Sequence, residues 1–159
     1  MAGEVTKAIK AISKKPIIIK LTPNVTDITE IAKAVEAEGA DGVSLINTLL
    51  GMNIDVNRKR PVLANGMGGL SGPAIKPVAL RMVYQVRRAV KIPIIGLGGI
   101  STGEDAVEFI MAGATAISVG TAALINPTAP IDIKEELLVY MRNNGFKSIN
   151  EIRDAFCEQ

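Results

Sequence analysis

Two glycine-rich segments of the chain have the composition of a phosphate-binding site. Gly96-Leu-Gly-Gly-Ile-Ser-Thr-Gly103 follows one apolar run, and Val119-Gly-Thr-Ala122 follows the next one. Backbone amides at glycine can approach phosphoryl oxygens because no side chain stands between them. Glycine can also serve only to permit a tight turn from strand to helix, which is the simpler explanation for a single loop. Two consecutive loops favour phosphate binding. The candidate residues are Gly98, Gly99, Gly120 and Thr121.

Polar side chains also stand where two other apolar runs end. Lys20 lies near the end of Pro16–Leu21. Asn47 and Thr48 follow Val43–Ile46. A fixed ammonium group stabilises the negative charge that develops on a reduced flavin ring. An amide and a hydroxyl can pair with the carbonyl and NH groups of a planar ligand. A lysine that extends into solvent and a turn-forming Asn-Thr pair are the simpler alternatives, but the position at strand ends favours function.

The charge balance and the missing residue types exclude several classes of function. The 159 residues include 18 basic and 16 acidic side chains, and a net charge of +2 is too small to recruit nucleic acid or a membrane surface. Histidine is absent and Cys157 is the one cysteine, which excludes a serine triad, an intrachain disulfide and a thiolate metal cage. We predict no catalytic residue and no metal site in this chain, because Cys157 has no histidine to activate it. The lack of a signal peptide or a bilayer-spanning run predicts a cytoplasmic protein.

Apolar runs alternate with helical patterns along the chain. Runs without polar alternation are typical of parallel strands covered on both faces. They are Pro16–Leu21, Val43–Ile46, Pro93–Leu97 and Ala116–Val119. Helices are predicted around Val5–Ile12, Ile28–Val35, Ile75–Val90, Val107–Met111 and Ile133–Met141, with a short one from about Ile149. Capping oxygens at Asp27, Thr102 and Ser148 each precede a carboxylate three residues later. The order is β, α, β, α, followed by a helical tail.

An internal repeat suggests an architecture. Lys15–Leu21 aligns with Lys91–Leu97, and Glu38–Leu45 aligns with Ala112–Val119, so each copy is a strand, a helix and a strand. Units of this kind build the (β/α)8 barrel, which has eight strands and typically about 250 residues. The pattern predicts a single domain over 1–159, an α/β half of a TIM barrel with about four parallel strands and a C-terminal helical tail. An open flavodoxin-like sheet fits the periodicity equally well.

The segment Leu49–Gly72 is longer than an ordinary connection. Structureless loops of more than about 15 residues are uncommon in compact domains and are usually functional. We therefore predict that this segment is a loop that covers the site. The basic cluster Asn57–Arg60 within it is interpreted as a solvated surface feature.

Five segments together resemble the dihydroorotate dehydrogenase family, and most closely the catalytic subunit of its NAD-linked class (class 1B). They are Lys20-Leu-Thr-Pro-Asn-Val-Thr-Asp-Ile28, Ile46–Thr48, Gly68–Met82, Gly96–Ile100 and Val119–Thr121. The resemblance extends in order over nearly the whole chain and corresponds to the C-terminal half of the family's barrel. It implies an FMN-dependent flavoprotein oxidoreductase of pyrimidine biosynthesis, which oxidises dihydroorotate to orotate by hydride transfer to FMN.

The resemblance also implies a role for each candidate residue. Lys20 would contact the FMN ring, and Ile46 and Gly72 would line the flavin pocket. The phosphate would be held by Gly98, Gly99, Gly120 and Thr121. Orotate or dihydroorotate would be bound by Asn47 and Thr48. In the family, electrons then pass to a partner subunit that carries FAD and an iron–sulfur cluster.

The first four β/α units of the family, with the loop that bears its catalytic cysteine, have no counterpart in this sequence. A half-barrel exposes two strand edges and an apolar interior, which proteins relieve by pairing. We expect a missing N-terminal half-barrel or a second copy of the chain to complete it, and little or no turnover by the chain alone. The alternatives are a non-catalytic phosphate- or flavin-binding half-barrel that self-assembles into a pseudo-barrel, and a phosphate-binding barrel with other chemistry.

Overall fold

The computed structural model describes residues 1–157, which form one parallel sheet, two short antiparallel strand pairs and a layer of helices. The strands are β1 Ile18–Leu21, β2 Gly42–Leu45, β3 Leu49–Met52, β4 Ile54–Asp55, β5 Arg60–Pro61, β6 Met67–Leu70, β7 Ile94–Leu97 and β8 Ala116–Ser118. The α-helices are α1 Ala2–Ile12, α2 Ile28–Ala37, α3 Lys76–Ala89, α4 Gly103–Met111, α5 Thr121–Ile125, α6 Ala129–Asn143 and α7 Ile149–Asp154, and a 3-10 turn spans Pro73–Ile75. The predicted helices and strands are confirmed, whereas α5 was not predicted.

The parallel sheet has the strand order β1-β2-β7-β8, which follows the order of the chain. Across it, Lys20 lies beside Ser44, Ser44 beside Ile95, and Ile95 beside Ala116. A flavodoxin-like sheet requires a reversal of strand order, and a barrel wall does not. The structure therefore confirms the predicted half of a (β/α)8 barrel, with four parallel strands and the helical tail α6 and α7.

Helices cover only one face of this sheet within the described residues. On that face Val43 and Leu45 are fully buried and Ile94 is 1% exposed. On the other face Ile18 is 51% exposed, and Ser118 is also exposed. The open face is the one that a barrel wall turns toward its interior, as expected for half of a barrel.

Close packing between the sheet and α4 fixes the glycine in the middle of β7. Phe109 of α4 is fully buried. A side chain on Gly96 would meet Phe109 Cδ1 at 2.6 Å and Ala114 Cβ at 3.2 Å. Gly96 therefore belongs to the core of the protein, whereas the glycines that follow it belong to the site.

The predicted capping residues begin their helices, with one difference in detail. Thr102 and Asp105 form a reciprocal capping box at α4, and the Ser148 side chain accepts from the Glu151 amide at α7. At α2 the Asp27 side chain accepts instead from the amide of Thr29. A carboxylate at the N-cap satisfies the nearest free amide on its own, so no reciprocal partner is needed.

The segment between β2 and the 3-10 turn is not the structureless loop predicted from its length. β3 pairs with β6, and β4 pairs with β5, both antiparallel. Of residues 49–72, only Ser71 and Gly72 line the cavity described below. The segment is a β-ribbon that lies beside the site. It was not predicted because two of its four strands are only 2 residues long.

The internal repeat is structural. The predicted alignment of Glu38–Leu45 with Ala112–Val119 agrees with the hydrogen bonds, whereas the alignment of Lys15–Leu21 with Lys91–Leu97 is wrong by one residue. In the first unit, residues 16–47, the Ile17 amide donates to the Asp41 side chain and the Asp41 amide donates to Ile17 O. In the second unit, residues 93–121, Ile94 and Thr115 make the same two contacts. Pro16 therefore corresponds to Pro93, and not Lys15 to Lys91.

Candidate functional site

A cavity of about 460 Å³ opens at the carboxyl ends of the parallel strands. All nine residues that the sequence indicates as ligand contacts line it: Lys20, Ile46, Asn47, Thr48, Gly72, Gly98, Gly99, Gly120 and Thr121. Gly99 and Gly120 thus face the same space, which a shared binding role requires. Strand ends on one edge of a parallel sheet are the usual position of ligand sites in β/α folds.

The loop after β7 contains two glycines that no other residue type can replace without strain. Gly98 has φ of 129° and Gly99 has φ of 82°, both in the region that side chains rarely adopt. A side chain on Gly98 would meet Ala79 Cβ at 2.8 Å. A side chain on Gly99 would meet the Lys76 backbone nitrogen at 2.8 Å and Gly72 O at 2.9 Å. The loop therefore packs directly on the segment that leads into α3.

Gly120 differs from these glycines because the space beside it is open. A Cβ built on Gly120 has no protein atom within 4 Å, and its φ of −112° is accessible to any residue. The packing of the described residues does not require glycine here. Next to it, the Thr121 hydroxyl donates to Ser71 Oγ at 2.9 Å, which joins the loop after β8 to the end of the β-ribbon.

A lysine with two carboxylates fixes the loop after β7 from beneath. Lys76 Nζ donates to Asp105 Oδ1 at 2.6 Å and to Glu108 Oε1 at 3.0 Å. Asp105 Oδ2 accepts from the backbone amides of Ser101 and Thr102 at 2.8 and 2.9 Å. Burial by itself would raise the pKa of Asp105, but the hydrogen bonds from Lys76, Ser101 and Thr102 outweigh it and lower the pKa to about 2. The bond to Asp105 in turn raises the pKa of Lys76.

Protein carboxylates already occupy the amides at the start of α4. Asp105 accepts from the backbone amides of Ser101 and Thr102, and Glu136 of α6 accepts from the amide of Gly103. An anionic ligand in the cavity therefore has to use the amides that precede this helix, in the Gly98–Ile100 stretch, and those that follow β8.

The opposite wall of the cavity is held by an asparagine that was singled out only as part of the Lys20–Ile28 segment. Asn24 Nδ2 donates to Thr48 O at 3.1 Å, and Asn24 Oδ1 accepts from the Leu50 amide at 2.9 Å. The Asn47 amide donates to Leu21 O at 2.9 Å, and a cis peptide bond joins Leu45 and Ile46. Asn47 and Thr48 keep exposed side chains at the cavity, as does Lys20.

Sequence reasoning missed several residues of the site. Ser71, Ser101 and Asn126 line the cavity and were not predicted, and the role of Lys76 under the loop was not foreseen. Asp105 was recognised only as a helix cap. The sequence gives no local signal for the role of Lys76, because its partners Asp105 and Glu108 are 29 and 32 residues away.

The fold and the cavity define the class of protein: a parallel β/α half-barrel with a glycine-lined cavity at the carboxyl ends of its strands. Residues 1–141 match the model of the family described as Dihydroorotate dehydrogenase. The chain is 65% identical over 155 residues to the Dihydroorotate dehydrogenase B (NAD(+)), catalytic subunit, of Alkaliphilus metalliredigens, covering 98% of this chain and 51% of that protein. It is 61% identical over 154 residues to the subunit of the same name from Parabacteroides distasonis, covering 97% of this chain and 50% of that protein.

The chain belongs to the dihydroorotate dehydrogenase family. It spans about half the length of the curated relatives that it matches. None of the helices that the structure describes combines the length and the apolar character needed to cross a membrane.

Proposed function

We propose that this chain is the FMN- and orotate-binding C-terminal half of a dihydroorotate dehydrogenase, which oxidises dihydroorotate to orotate in pyrimidine biosynthesis. The observation that carries the proposal is the convergence of all nine motif residues on one cavity. The names of the relatives describe them as catalytic subunits, which supports a further partner subunit for electron transfer. The family's electron-transfer subunit, with FAD and an iron–sulfur cluster, is the proposed partner.

The residues present suit FMN. The loops after β7 and β8 offer backbone amides without intervening side chains, and the space beside Gly120 would be filled by any Cβ. Lys20 provides a positive charge for the ring, and Ile46 and Gly72 provide an apolar wall and close backbone approach. When bound, FMN supplies the hydride acceptor. Asn47 and Thr48 orient the substrate ring through amide and hydroxyl hydrogen bonds.

The chain alone is expected to have little turnover. Among the described residues that line the cavity, Lys20 is the only one with a titratable side chain. An ammonium group cannot accept the proton that dihydroorotate loses, and Cys157 does not line the cavity. What this chain contributes is binding and orientation, and the proton acceptor has to come from the completing half.

An absorbance spectrum of the purified chain tests the proposal. A yellow protein with flavin absorbance supports FMN binding, and bleaching by dihydroorotate, with the completing half added, supports the reaction. Flavin absorbance without bleaching in the completed assembly would favour the second candidate, a non-catalytic flavin-binding half-barrel. That candidate is favoured by the lack of a proton acceptor among the described cavity residues. A protein that binds no FMN contradicts both.

Gly120→Ala is expected to weaken FMN binding about tenfold or more, because the new methyl group occupies the space proposed for the phosphate. The free energy of unfolding is expected to remain within about 0.5 kcal/mol of wild type, since no protein atom lies within 4 Å of the new Cβ. Flavin fluorescence titration measures the affinity, and urea unfolding measures stability. Gly51→Ala in β3, outside the cavity, is the control. Unchanged affinity in Gly120→Ala would remove this loop from the phosphate site.

Lys20→Ala is expected to lower the reduction potential of bound flavin while leaving phosphate affinity unchanged, because a fixed cation stabilises the reduced, anionic ring. A spectroscopic redox titration measures the potential. Lys33→Ala on α2, which removes an exposed lysine outside the cavity, corrects for the change in net charge. If both variants shift the potential equally, Lys20 has no specific contact with the ring, and a phosphate-binding barrel with other chemistry becomes the better explanation.

A further inference from the structure

The segment that follows β2 is tied to the loop that follows β1. The Asn47 amide donates to Leu21 O at 2.9 Å. Asn24 Nδ2 donates to Thr48 O at 3.1 Å, and Asn24 Oδ1 accepts from the Leu50 amide at 2.9 Å. Because a backbone carbonyl needs a donor and a backbone amide needs an acceptor, the side-chain amide of Asn24 satisfies both in this one orientation. Asn24 therefore holds the main chain at two points, one residue apart.

A threonine of the same loop holds Asn24 in turn. Thr22 Oγ1 accepts from the Asn24 backbone amide and from Asn24 Nδ2, both at 3.2 Å. The Asn24 side chain is thus fixed by its own neighbour before it reaches across to the next loop. Neither Thr22 nor Asn24 is among the described residues that line the cavity. Any effect of Asn24 on a ligand in the cavity has to act through the residues that it holds.

Gly69 of β6 leaves the space that the Thr48 side chain occupies. A Cβ built on Gly69 would overlap Thr48 Oγ1 and would lie 2.7 Å from Thr48 Cβ. Gly69 also lies beside Leu50 in the β3–β6 pair, and Asn24 accepts from the amide of that same Leu50. Thr48 is therefore held by Asn24 at its backbone carbonyl and by the β-ribbon at its side chain.

We propose that Asn24 and Gly69 are positioning residues that set the place of Thr48 in the cavity, and through it the affinity for the substrate ring. The proposal rests on the proposed function, in which Thr48 binds orotate. It gives the β-ribbon, which lies beside the cavity, a role in recognising the substrate. A misplacement of about 1 Å is enough to spoil the fit of a group that must meet a ligand by directed hydrogen bonds. The proposed phosphate site lies on other loops, so FMN affinity is expected to be retained.

The position of the Thr48 side chain can be measured without any ligand. Three-bond couplings to the Thr48 methyl group in NMR spectra of the chain report its χ1 rotamer. Gly69→Ala is expected to change this rotamer, because the new methyl group takes the space of Thr48 Oγ1. Gly68→Ala is the matched control on the same strand, since its Cβ would meet the end of the Leu63 side chain instead.

An orotate titration of the FMN-loaded assembly, with the completing half added, measures the effect on recognition through the flavin absorbance. Gly69→Ala is expected to weaken orotate binding about tenfold, and Asn24→Ala about threefold to tenfold, with FMN affinity within about twofold of wild type. Asn24→Asp is expected to weaken orotate binding as Asn24→Ala does. Aspartate keeps an acceptor for the Leu50 amide but has no donor for Thr48 O. Asn57→Ala, in the turn between β4 and β5, is the control for Asn24.

A double-mutant cycle tests whether Gly69 acts through Thr48. In a Thr48→Ala background the side chain that Gly69→Ala displaces is reduced to a methyl group, so Gly69→Ala is expected to change orotate affinity by less than about twofold. A merely structural effect of Gly69→Ala on the β-ribbon would give the same loss in both backgrounds. Equal losses therefore overturn the role of Gly69 as a positioning residue.

The failure of this proposal can be distinguished from the failure of the proposed function. If the wild-type assembly binds orotate and the Asn24 and Gly69 variants bind it equally well, the proposal is overturned and the proposed function stands. Equal losses of FMN and orotate affinity also overturn it, because they indicate a general collapse of the cavity. If the wild type holds FMN but binds no orotate, the proposed function fails, and an unchanged Thr48 rotamer in Gly69→Ala overturns the proposal as well. If Gly69→Ala does not fold, the Asn24 variants decide the matter.

Discussion

Asp105→Asn is expected to lower the free energy of unfolding by about 3 kcal/mol at neutral pH. Asp105 is 7% exposed. Asparagine would present an amide group to the Lys76 ammonium, so two donors would face each other at a distance that now measures 2.6 Å. In the flipped orientation the amide group would face the backbone amides of Ser101 and Thr102, which now lie 2.8 and 2.9 Å from Oδ2, so one of the two sets of contacts is lost in either orientation. The loop after β7 would lose the contact that fixes it, and FMN affinity is expected to fall with stability.

The same variant is expected to change how stability depends on pH. The pKa of Asp105 is lowered from 3.8 to about 2 in the folded chain. A lowered pKa means that the stabilisation is fully present above about pH 4 and is lost as the pH falls through 3.8 toward 2. Asp105→Asn removes this contribution of about 2 to 3 kcal/mol, so the difference between variant and wild type narrows below pH 4.

Urea unfolding at pH 7, 5 and 3, at one fixed protein concentration, measures both effects. Asp41→Asn is the matched control, since Asp41 also accepts from a lysine and a backbone amide, with Lys10 Nζ at 2.9 Å and Ile17 N at 2.7 Å, but at the surface. Exposed ion pairs contribute little, so its effect is expected to be smaller. If both variants lose the same free energy of unfolding, the contacts of Asp105 under the loop stabilise the protein no more than those of Asp41 at the surface.

Gly99→Ala is expected to destabilise the protein by about 3 kcal/mol or more and to abolish FMN binding. Its φ of 82° is unfavourable for alanine, and the new Cβ would lie 2.8 Å from the Lys76 backbone nitrogen and 2.9 Å from Gly72 O. Both neighbours are backbone atoms, which cannot move aside as a flexible side chain can. The loop and the start of α3 would have to separate, and both line or support the cavity.

Gly66→Ala isolates the steric part of this effect. Gly66 has a similar φ of 76°, but no atom lies within 4 Å of a Cβ built there. Its substitution is therefore expected to cost only the backbone strain, about 1 to 2 kcal/mol. Chemical unfolding of both variants and a flavin titration measure the difference. If Gly99→Ala loses no more stability than Gly66→Ala, the loop after β7 is not in close contact with Gly72 and Lys76.

Local patterns predicted most of the fold. Apolar runs located the four parallel strands to within two residues, because each run is a continuous stretch that packs against helices on at least one side. The capping box at Thr102 and Asp105 gave the start of α4 correctly, since its contacts span only three residues. The β-ribbon was missed because two of its strands are 2 residues long and carry no periodicity.

The positions of the candidate site residues could be predicted from the sequence, but the contacts that hold them could not. Residues such as Gly98 and Asn47 stand directly after apolar runs, so a parallel fold necessarily brings them to one edge. The partners that hold them are distant in sequence: Thr121 bonds to Ser71 across 50 residues, and Asn24 bonds to Thr48 across 24. The alignment of Lys15–Leu21 with Lys91–Leu97 also failed by one residue, because Lys15 and Lys91 matched by identity where hydrogen bonding aligns Pro16 with Pro93. Pairwise contacts of this kind leave no trace in a single sequence.

Carboxylate capture of the amides that lead into α4 has a kinetic consequence. Because Asp105 and Glu136 hold these amides in the folded chain, the start of α4 has little ordering entropy left to lose when a ligand arrives. Association is then expected to occur in a single fast phase. Hydrogen exchange at the Ser101 amide would proceed at the same slow rate in the empty and in the loaded protein.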